Sequence, residues 1–214
     1  GIVGGMRVWI SVLLFCIAAP AMARPVAFPG AWMPMVEVTG SGFKAETMYS
    51  PTARYSVGLH EEYMNDEDAW MHMATYNRLL WRDNQPSAQA NLYIRTGLGA
   101  VYAGGEGDAA GFVGLTADWE DRDYMVAYEN TYLMTGLTQV EDRLEQRLRL
   151  GITPYRAAYE EWQPWFMLQL DHRPEDSTQW EVTPLLRVFN GGPLLAELGF
   201  SNHGNIYSSI VLTF

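Results

Sequence analysis

The residues best suited to chemistry are four histidines, three of which stand beside carboxylates or methionines. His72 lies between two methionines, and His60 is followed by two glutamates. Imidazole and thioether groups together suit soft ions such as Cu(I), although acidic residues near histidine are also ordinary on a solvated surface. The pattern raises a candidate metal site, whose ligands would be His60, His72, His172 and His203.

Serine and histidine also occur close together, at Ser201 and His203. A nucleophile and its base must lie within hydrogen-bond reach, and residues i and i+2 of a strand are about 7 Å apart, which is too loose. The segment Ser201-Asn-His-Gly204 is more typical of a turn in which Gly204 supplies a positive φ. We therefore predict no catalytic residues, no enzyme activity and no cofactor.

Charged residues alternate with leucines in Arg143-Leu-Glu-Gln-Arg-Leu-Arg-Leu150. These are strong helix formers, so a helix is one interpretation. A strand is favoured because Ile152 continues the alternation and because neighbouring segments alternate too. One face of this strand would carry Arg143, Glu145, Arg147 and Arg149, and the other would carry leucines.

Similar alternation recurs along the chain and predicts an all-β protein. Segments of 8 to 13 residues are separated by turn residues, without a domain boundary or repeat. The predicted strands are 31–38, 43–50, 54–62, 69–81, 88–98, 110–119, 122–133, 142–152, 161–171, 178–189, 194–201 and 205–214. The list contains twelve strands. The first is the weakest prediction, and without it the number of strands would be odd, so ten strands after an N-terminal periplasmic segment is the alternative.

The beginning of the chain predicts export. Met6-Arg7 precedes an apolar stretch of about a dozen residues and then Ala21-Met22-Ala23, as in a secretory signal peptide. The stretch is shorter than the roughly 20 residues that a membrane-spanning helix needs. We expect residues 1–23 to be a signal peptide with an N-terminal extension and 24–214 to be one domain. The single cysteine, Cys16, would leave with the signal, which excludes disulfides.

Composition restricts the partners. The formal net charge is −11, and it becomes −12 once Arg7 is removed with the signal peptide. Such acidity argues against nucleic-acid binding, which needs basic patches. The chain is nevertheless 48% hydrophobic, which is too rich for disorder. An exported chain with many strands and no apolar helix fits a membrane barrel, in which every backbone hydrogen bond is made internally.

The last strand, Asn205 to Phe214, alternates throughout and ends on an aromatic residue. A terminal Phe on a closing strand resembles bacterial outer-membrane β-barrels, in which it helps the insertion machinery recognise the chain. The resemblance implies a transmembrane up-and-down β-barrel in a Gram-negative outer membrane. Two stretches also look like parts of uncharacterised small proteobacterial barrels, Asn77-Arg-Leu-Leu-Trp81 through Gln89-Ala-Asn-Leu-Tyr93 and Ser201-Asn-His-Gly204, and no site is carried over from them.

Orientation follows if Phe214 ends at the periplasm. The turns at 39–42, 63–68, 99–109, 134–141, 172–177 and 202–204 are then extracellular, and 99–109 is the longest. The same choice places the four histidines near the extracellular rim and produces two aromatic girdles of the kind seen in membrane barrels. Their tryptophans are Trp32, Trp81, Trp119 and Trp162 at one end and Trp70 and Trp180 at the other.

The polar face of each strand would point into the lumen. Its charged members can pair into a network that fills a narrow barrel, or they can line a water-filled pore. Twelve strands lie between the filled eight-stranded barrels and the open sixteen-stranded porins. The predicted lumen-lining residues are Arg95, Glu129, Arg143, Glu145, Arg147, Arg149, Arg187 and Glu197.

Three functional hypotheses follow. The first is a small porin-like passive channel for ions or small solutes, whose conductance depends on Arg147 and Arg149. The second is a non-conducting structural or binding barrel, and the third is the metal-capturing rim. In each case we expect a monomer whose partners are outer-membrane lipids and, during biogenesis, the barrel-insertion machinery.

Overall fold

The twelve predicted strands close into one antiparallel barrel. The computed structural model describes residues 23–158, 161–176 and 179–214, so most of the predicted signal peptide lies outside the described residues. Each strand pairs with its neighbours in sequence, and β1 pairs with β12. The strands are β1 (Ala31–Thr39), β2 (Gly42–Thr52), β3 (Tyr55–Met64), β4 (Ala69–Asn84), β5 (Ala88–Ala103), β6 (Glu106–Asp121), β7 (Tyr124–Thr135), β8 (Arg143–Ile152), β9 (Gln163–His172), β10 (Trp180–Phe189), β11 (Leu194–Phe200) and β12 (Ile206–Leu212).

The closing seam extends beyond β12 to the final residue. The Trp32 amide donates to the Phe214 carbonyl at 2.7 Å, and the Phe214 amide donates back to the Trp32 carbonyl at 3.0 Å. Both β1 and β12 therefore have their free ends at one end of the barrel. We call this the terminal end and the opposite one the far end.

The predicted long loop at 99–109 is wrong. Strand β5 continues to Ala103 and strand β6 begins at Glu106, so only Gly104 and Gly105 lie between them. Their φ values of +59° and +84° are those of a tight hairpin turn with two left-handed residues. Residues 99–109 are mostly small, so the two faces of the strands differ little in hydrophobicity there. The segment therefore looks like a loop in the sequence. Strands β4, β5 and β6 have 16 residues each, more than the 9–11 or so needed to span a bilayer, so this part of the wall is the tallest.

The outward face is apolar, as predicted. In β4, for example, Trp70, His72, Ala74 and Tyr76 point outward and alternate with buried residues. All six tryptophans assigned to the girdles are at least 38% exposed. A continuous apolar exterior on a closed sheet is the surface that lipid requires. Among the described residues, no helix is long and apolar enough to cross a membrane.

The lumen is not uniformly polar, which the sequence did not suggest. Three apolar clusters lie inside the wall, and the largest is at the far end, where Leu137 and Val140 of the β7–β8 loop fold inward. Of the described methionines, only Met134 is exposed. The others face the lumen, and they are Met33, Met35, Met48, Met64, Met71, Met73, Met125 and Met167. Charged side chains occupy the remaining space.

Candidate functional site

The centre of the site is Arg147 on β8. Its two terminal nitrogens each donate to one carboxylate oxygen of Glu37 at 3.0 Å, and its Nε donates to Asp171 at 2.6 Å. Four strands separate β8 from β1 along the shorter way round the wall, so the pair with Glu37 crosses the lumen. The paired, parallel geometry is the strong form of an arginine–carboxylate contact.

Arg149, two residues further along β8, belongs to a second group. It donates to Gln169 at 2.9 Å and lies 3.4 Å from Glu197, which also binds Arg187 at 2.6 Å. The side chains of Arg187 and Glu197 are 1% and 2% exposed, so this pair is fully enclosed. The Tyr207 hydroxyl lies 3.1 Å from the Glu37 carboxylate and 3.0 Å from that of Glu197, so it can donate its one proton to either group. Tyr207 therefore joins the two groups.

Lys44 forms another ion pair across the lumen. It lies on β2, 3.3 Å from Glu145 on β8, and it is also 3.4 Å from Glu62 on the neighbouring strand β3. Five strands separate β2 from β8 in either direction, so Lys44 and Glu145 come from opposite walls. Arg143 binds Glu145 at 2.9 Å and Glu67 at 2.8 Å. The charged side chains of β8 thus form ion pairs with several other parts of the wall.

A neighbouring group contains His60. Its two ring nitrogens lie 2.8 Å from Glu46 and 3.1 Å from Glu62. Each ring nitrogen thus lies within hydrogen-bond distance of a different carboxylate. Arg95 completes the group by binding Glu46 at 3.2 Å and Glu129 at 2.5 Å. We call all of these pairs, from Glu37 to Glu197, the ion-pair network.

Two cavities adjoin the ion-pair network. A central cavity of about 160 Å³ extends towards the terminal end. A smaller far cavity, of about 60 Å³, opens among the far-end turns. Arg147, Asp171 and Arg173 line both cavities, so the contacts of Arg147 form the partition between them.

The charges around the central cavity are nearly balanced. Seven Lys or Arg residues and six Asp or Glu residues line it, in addition to His60. The strong negative charge of the chain is therefore located mainly elsewhere. A cavity wall of paired charges has no large excess of either sign to repel ions.

All eight predicted lumen residues lie inside the barrel. Six line the central cavity, and Arg187 and Glu197 are buried beside it. The structure brings them together with residues that the sequence analysis did not assign to the lumen, namely Glu37, Lys44, Glu46, Glu62, Gln169, Asp171 and Tyr207. Strand parity signals that these side chains face inward, but no pattern in the chain says which opposite strand each one meets.

The four histidines do not come together. His60 is in the lumen, whereas His72 stacks beside Trp70 on the outer surface and His172 stacks on Trp180 at 4.1 Å between ring centroids. His203 lies in the β11–β12 turn with Nε2 3.0 Å from the Trp180 carbonyl oxygen. In the described part of the chain, no group of three or more His, Cys, Asp or Glu residues could hold a metal. The expected rim site is therefore not assembled, because strand parity directs these side chains to opposite faces.

Ser201 and His203 adopt the turn that the sequence favoured. The Ser201 hydroxyl accepts hydrogen bonds from the backbone amides of His203 and Asn205 at 3.3 and 3.2 Å. Gly204 has a φ of +81°. The imidazole contacts a backbone carbonyl rather than the serine hydroxyl, so the geometry is that of a hairpin turn.

The fold resembles that of a known porin. No protein-family model and no curated protein matches the chain. Two solved structures do match its fold, "KdgM porin" and "KdgM porin in complex with disordered oligogalacturonate". They are 6% and 8% identical to this chain, with a TM-score of 0.50 in both cases and coverage of 86% of this chain and 98% of theirs. At this identity the likeness concerns the fold, which is the closed twelve-stranded barrel of the outer membrane.

Proposed function

We propose that this outer-membrane β-barrel is a small passive channel for ions and small polar solutes. One observation carries the proposal: two cavities with charged side chains in their walls meet inside the lumen at the contacts of Arg147. Together they outline a path from the far-end turns towards the terminal end. The likeness in fold to a porin supports the same function.

The size of the solute follows from the cavities. The central cavity of about 160 Å³ holds on the order of ten water molecules, since each needs roughly 10–15 Å³ of such volume. Ions and solutes of a few non-hydrogen atoms fit this space, and larger sugars do not. The near balance of fixed charge predicts only weak selectivity between small cations and anions.

Arg147 is the proposed constriction. Its side chain reaches from β8 to Glu37 on β1 and contacts Asp171 on β9. A solute passing from one cavity to the other must go around or displace this guanidinium. Truncating it removes atoms from the narrowest part of the path and leaves two carboxylates, so we expect a wider and more cation-selective channel.

Single-channel recording in planar bilayers tests the proposal. We expect small steps for the protein, larger steps for Arg147→Ala, and a shift of the reversal potential in a salt gradient towards that of cations. Arg78→Ala is the matched control, because Arg78 is an exposed arginine on the outer face of β4. If every folded variant is silent, the barrel is a structural or binding protein with a filled lumen.

A further inference from the structure

The segment before β1, residues 24–30, folds back into the barrel. Gly30, with a φ of +85°, allows the chain to reverse at the start of β1. The first part of the segment is buried rather than solvated, because Val26 is 2% exposed and Arg24 is 7% exposed. We call residues 24–30 the N-terminal segment.

Hydrogen bonds to two neighbouring strands hold the middle of the segment. The Ala27 amide donates to the hydroxyl of Ser50 on β2 at 3.0 Å. The hydroxyl of Ser56 on β3 donates to the Pro25 carbonyl at 2.5 Å. Both serines lie near the terminal end of their strands, so the segment lies across the inside of that mouth.

An ion pair holds the tip of the segment. Arg24 binds Glu120 at 2.8 Å and Asp118 at 3.3 Å, both on β6. Four strands separate β1 from β6, so the segment crosses much of the lumen before it reaches these carboxylates. The Asp118 side chain is fully buried, and one oxygen of each carboxylate has no hydrogen-bond partner among the described residues. Arg24 is therefore the main compensating charge at this position.

The segment lies on the terminal side of the central cavity. Arg24 and Pro25 line that cavity from this side. The segment has no regular secondary structure, and a few side-chain contacts hold it. Such a segment can leave the lumen as a unit once the ion pairs of Arg24 break, whereas a strand of the wall cannot.

We propose that the N-terminal segment is a tethered plug that closes the terminal mouth of the channel, and that Arg24 with Asp118 and Glu120 is its latch. The inference rests on the proposed channel function and adds a second, movable constriction to the fixed one at Arg147. With the plug seated, the path from the far end stops at the central cavity. With the latch broken, it continues to the terminal side.

A reversible lock tests the plug. Protein isolated from outer membranes, so that cellular processing sets its N-terminus, would carry Ala27→Cys and Ser50→Cys. Cys16, the single natural cysteine, lies in the predicted signal peptide, so the new disulfide is unique in processed protein. We expect low conductance when it is oxidised and a several-fold increase in open time on reduction. Each single cysteine variant should be insensitive to reductant.

Breaking the latch supplies an independent test without a disulfide. Arg24→Gln should raise the open time several-fold relative to the natural protein. Arg156→Gln is the matched control, because Arg156 is a 60% exposed arginine that pairs with Asp123 outside the lumen. Folding of every variant is checked by the heat-dependent shift of the barrel on a gel.

The outcomes separate the plug from the channel. If the locked, reduced and Arg24→Gln proteins all conduct like the natural one, the plug is overturned and the channel stands. If every folded variant is silent, including Arg24→Gln and Arg147→Ala, both proposals fall. A rise in open time on reduction and in Arg24→Gln, with none in Arg156→Gln, supports both.

Discussion

Two regions fill the lumen in different ways. At the far end, between β3 and β7, the apolar cluster packs methionine, valine, leucine and phenylalanine side chains under the β7–β8 loop. Across the middle, the ion-pair network joins β8 to β1, β2, β9 and β11. The apolar cluster borders only the central cavity, through Met71, Phe112 and Leu133, whereas the ion-pair network borders both cavities. One part of the barrel interior is thus packed with apolar side chains, and another part contains the proposed solute path.

The comparison also concerns stability. Apolar side chains gain free energy simply by leaving water, so each one contributes roughly in proportion to its buried area. Buried charges must first lose their hydration, and only close, complementary partners compensate for that loss. Loss of one member of the network should therefore cost more than loss of one apolar side chain, because it leaves an opposite charge without its partner.

The largest effect is expected for Glu197→Ala. This carboxylate binds both Arg187 and Arg149, and its side chain is 2% exposed. Removing one partner of a buried ion pair typically costs about 3–5 kcal/mol of unfolding free energy. Urea titration in lipid vesicles measures the change, with exposed Glu175→Ala as the control. A loss equal to that of the control would mean that the enclosed pair is not important for stability.

A smaller loss, of about 2–4 kcal/mol, is expected for Leu137→Ala in the apolar cluster. Leu137 is 6% exposed, and truncating a buried leucine removes transfer free energy and leaves a cavity. Conductance sharpens the comparison, since it should stay unchanged because Leu137 lines neither of the two cavities. A large change in channel current would break the division between packing and path.

The sequence allowed much of the fold to be predicted, and part of the site. Alternation located all twelve strands, and parity placed Arg147, Arg149 and Glu197 inside. It did not indicate that Met71 and Met73 would fill the lumen, since apolar side chains on either face of a strand look alike in sequence. Nor did it pair Arg147 with Glu37, because these residues are 110 positions apart and meet only through barrel closure.

A still smaller effect is expected for Tyr207→Phe. Its hydroxyl joins Glu37 and Glu197, so it links the two arginine groups without carrying charge. Loss of hydrogen bonds to charged partners should lower the unfolding free energy by about 1.5 kcal/mol. A double-mutant cycle with Arg149→Met measures the coupling of Tyr207 to the Glu197 group, because Arg149 also donates to the Tyr207 hydroxyl. Additive losses would show that Tyr207 is independent of that group.

The smallest effect is expected for the exposed pair of Arg156 and Asp123, which lies outside the lumen. The hydrogen bond from Arg156 lowers the pKa of Asp123 below its ordinary value. A lowered folded-state pKa stabilises the protein above the unfolded value of about 3.9, and this contribution is lost as the pH falls through the folded value. Arg156→Gln should therefore cost a little stability near neutral pH and nothing in stronger acid. Unfolding curves at several pH values check this, and a loss as large as that of Glu197→Ala would remove the contrast between exposed and enclosed pairs.

The most direct test of the central claim is the single-channel conductance of the natural protein beside that of Arg147→Ala. The account predicts small steps for the natural barrel and larger, more cation-selective steps for the variant, because Arg147 lines both cavities where they meet. Silence in both correctly folded proteins and in Arg24→Gln, or identical steps and selectivity in the natural protein and Arg147→Ala, would contradict the claim that the solute path runs through the ion-pair network.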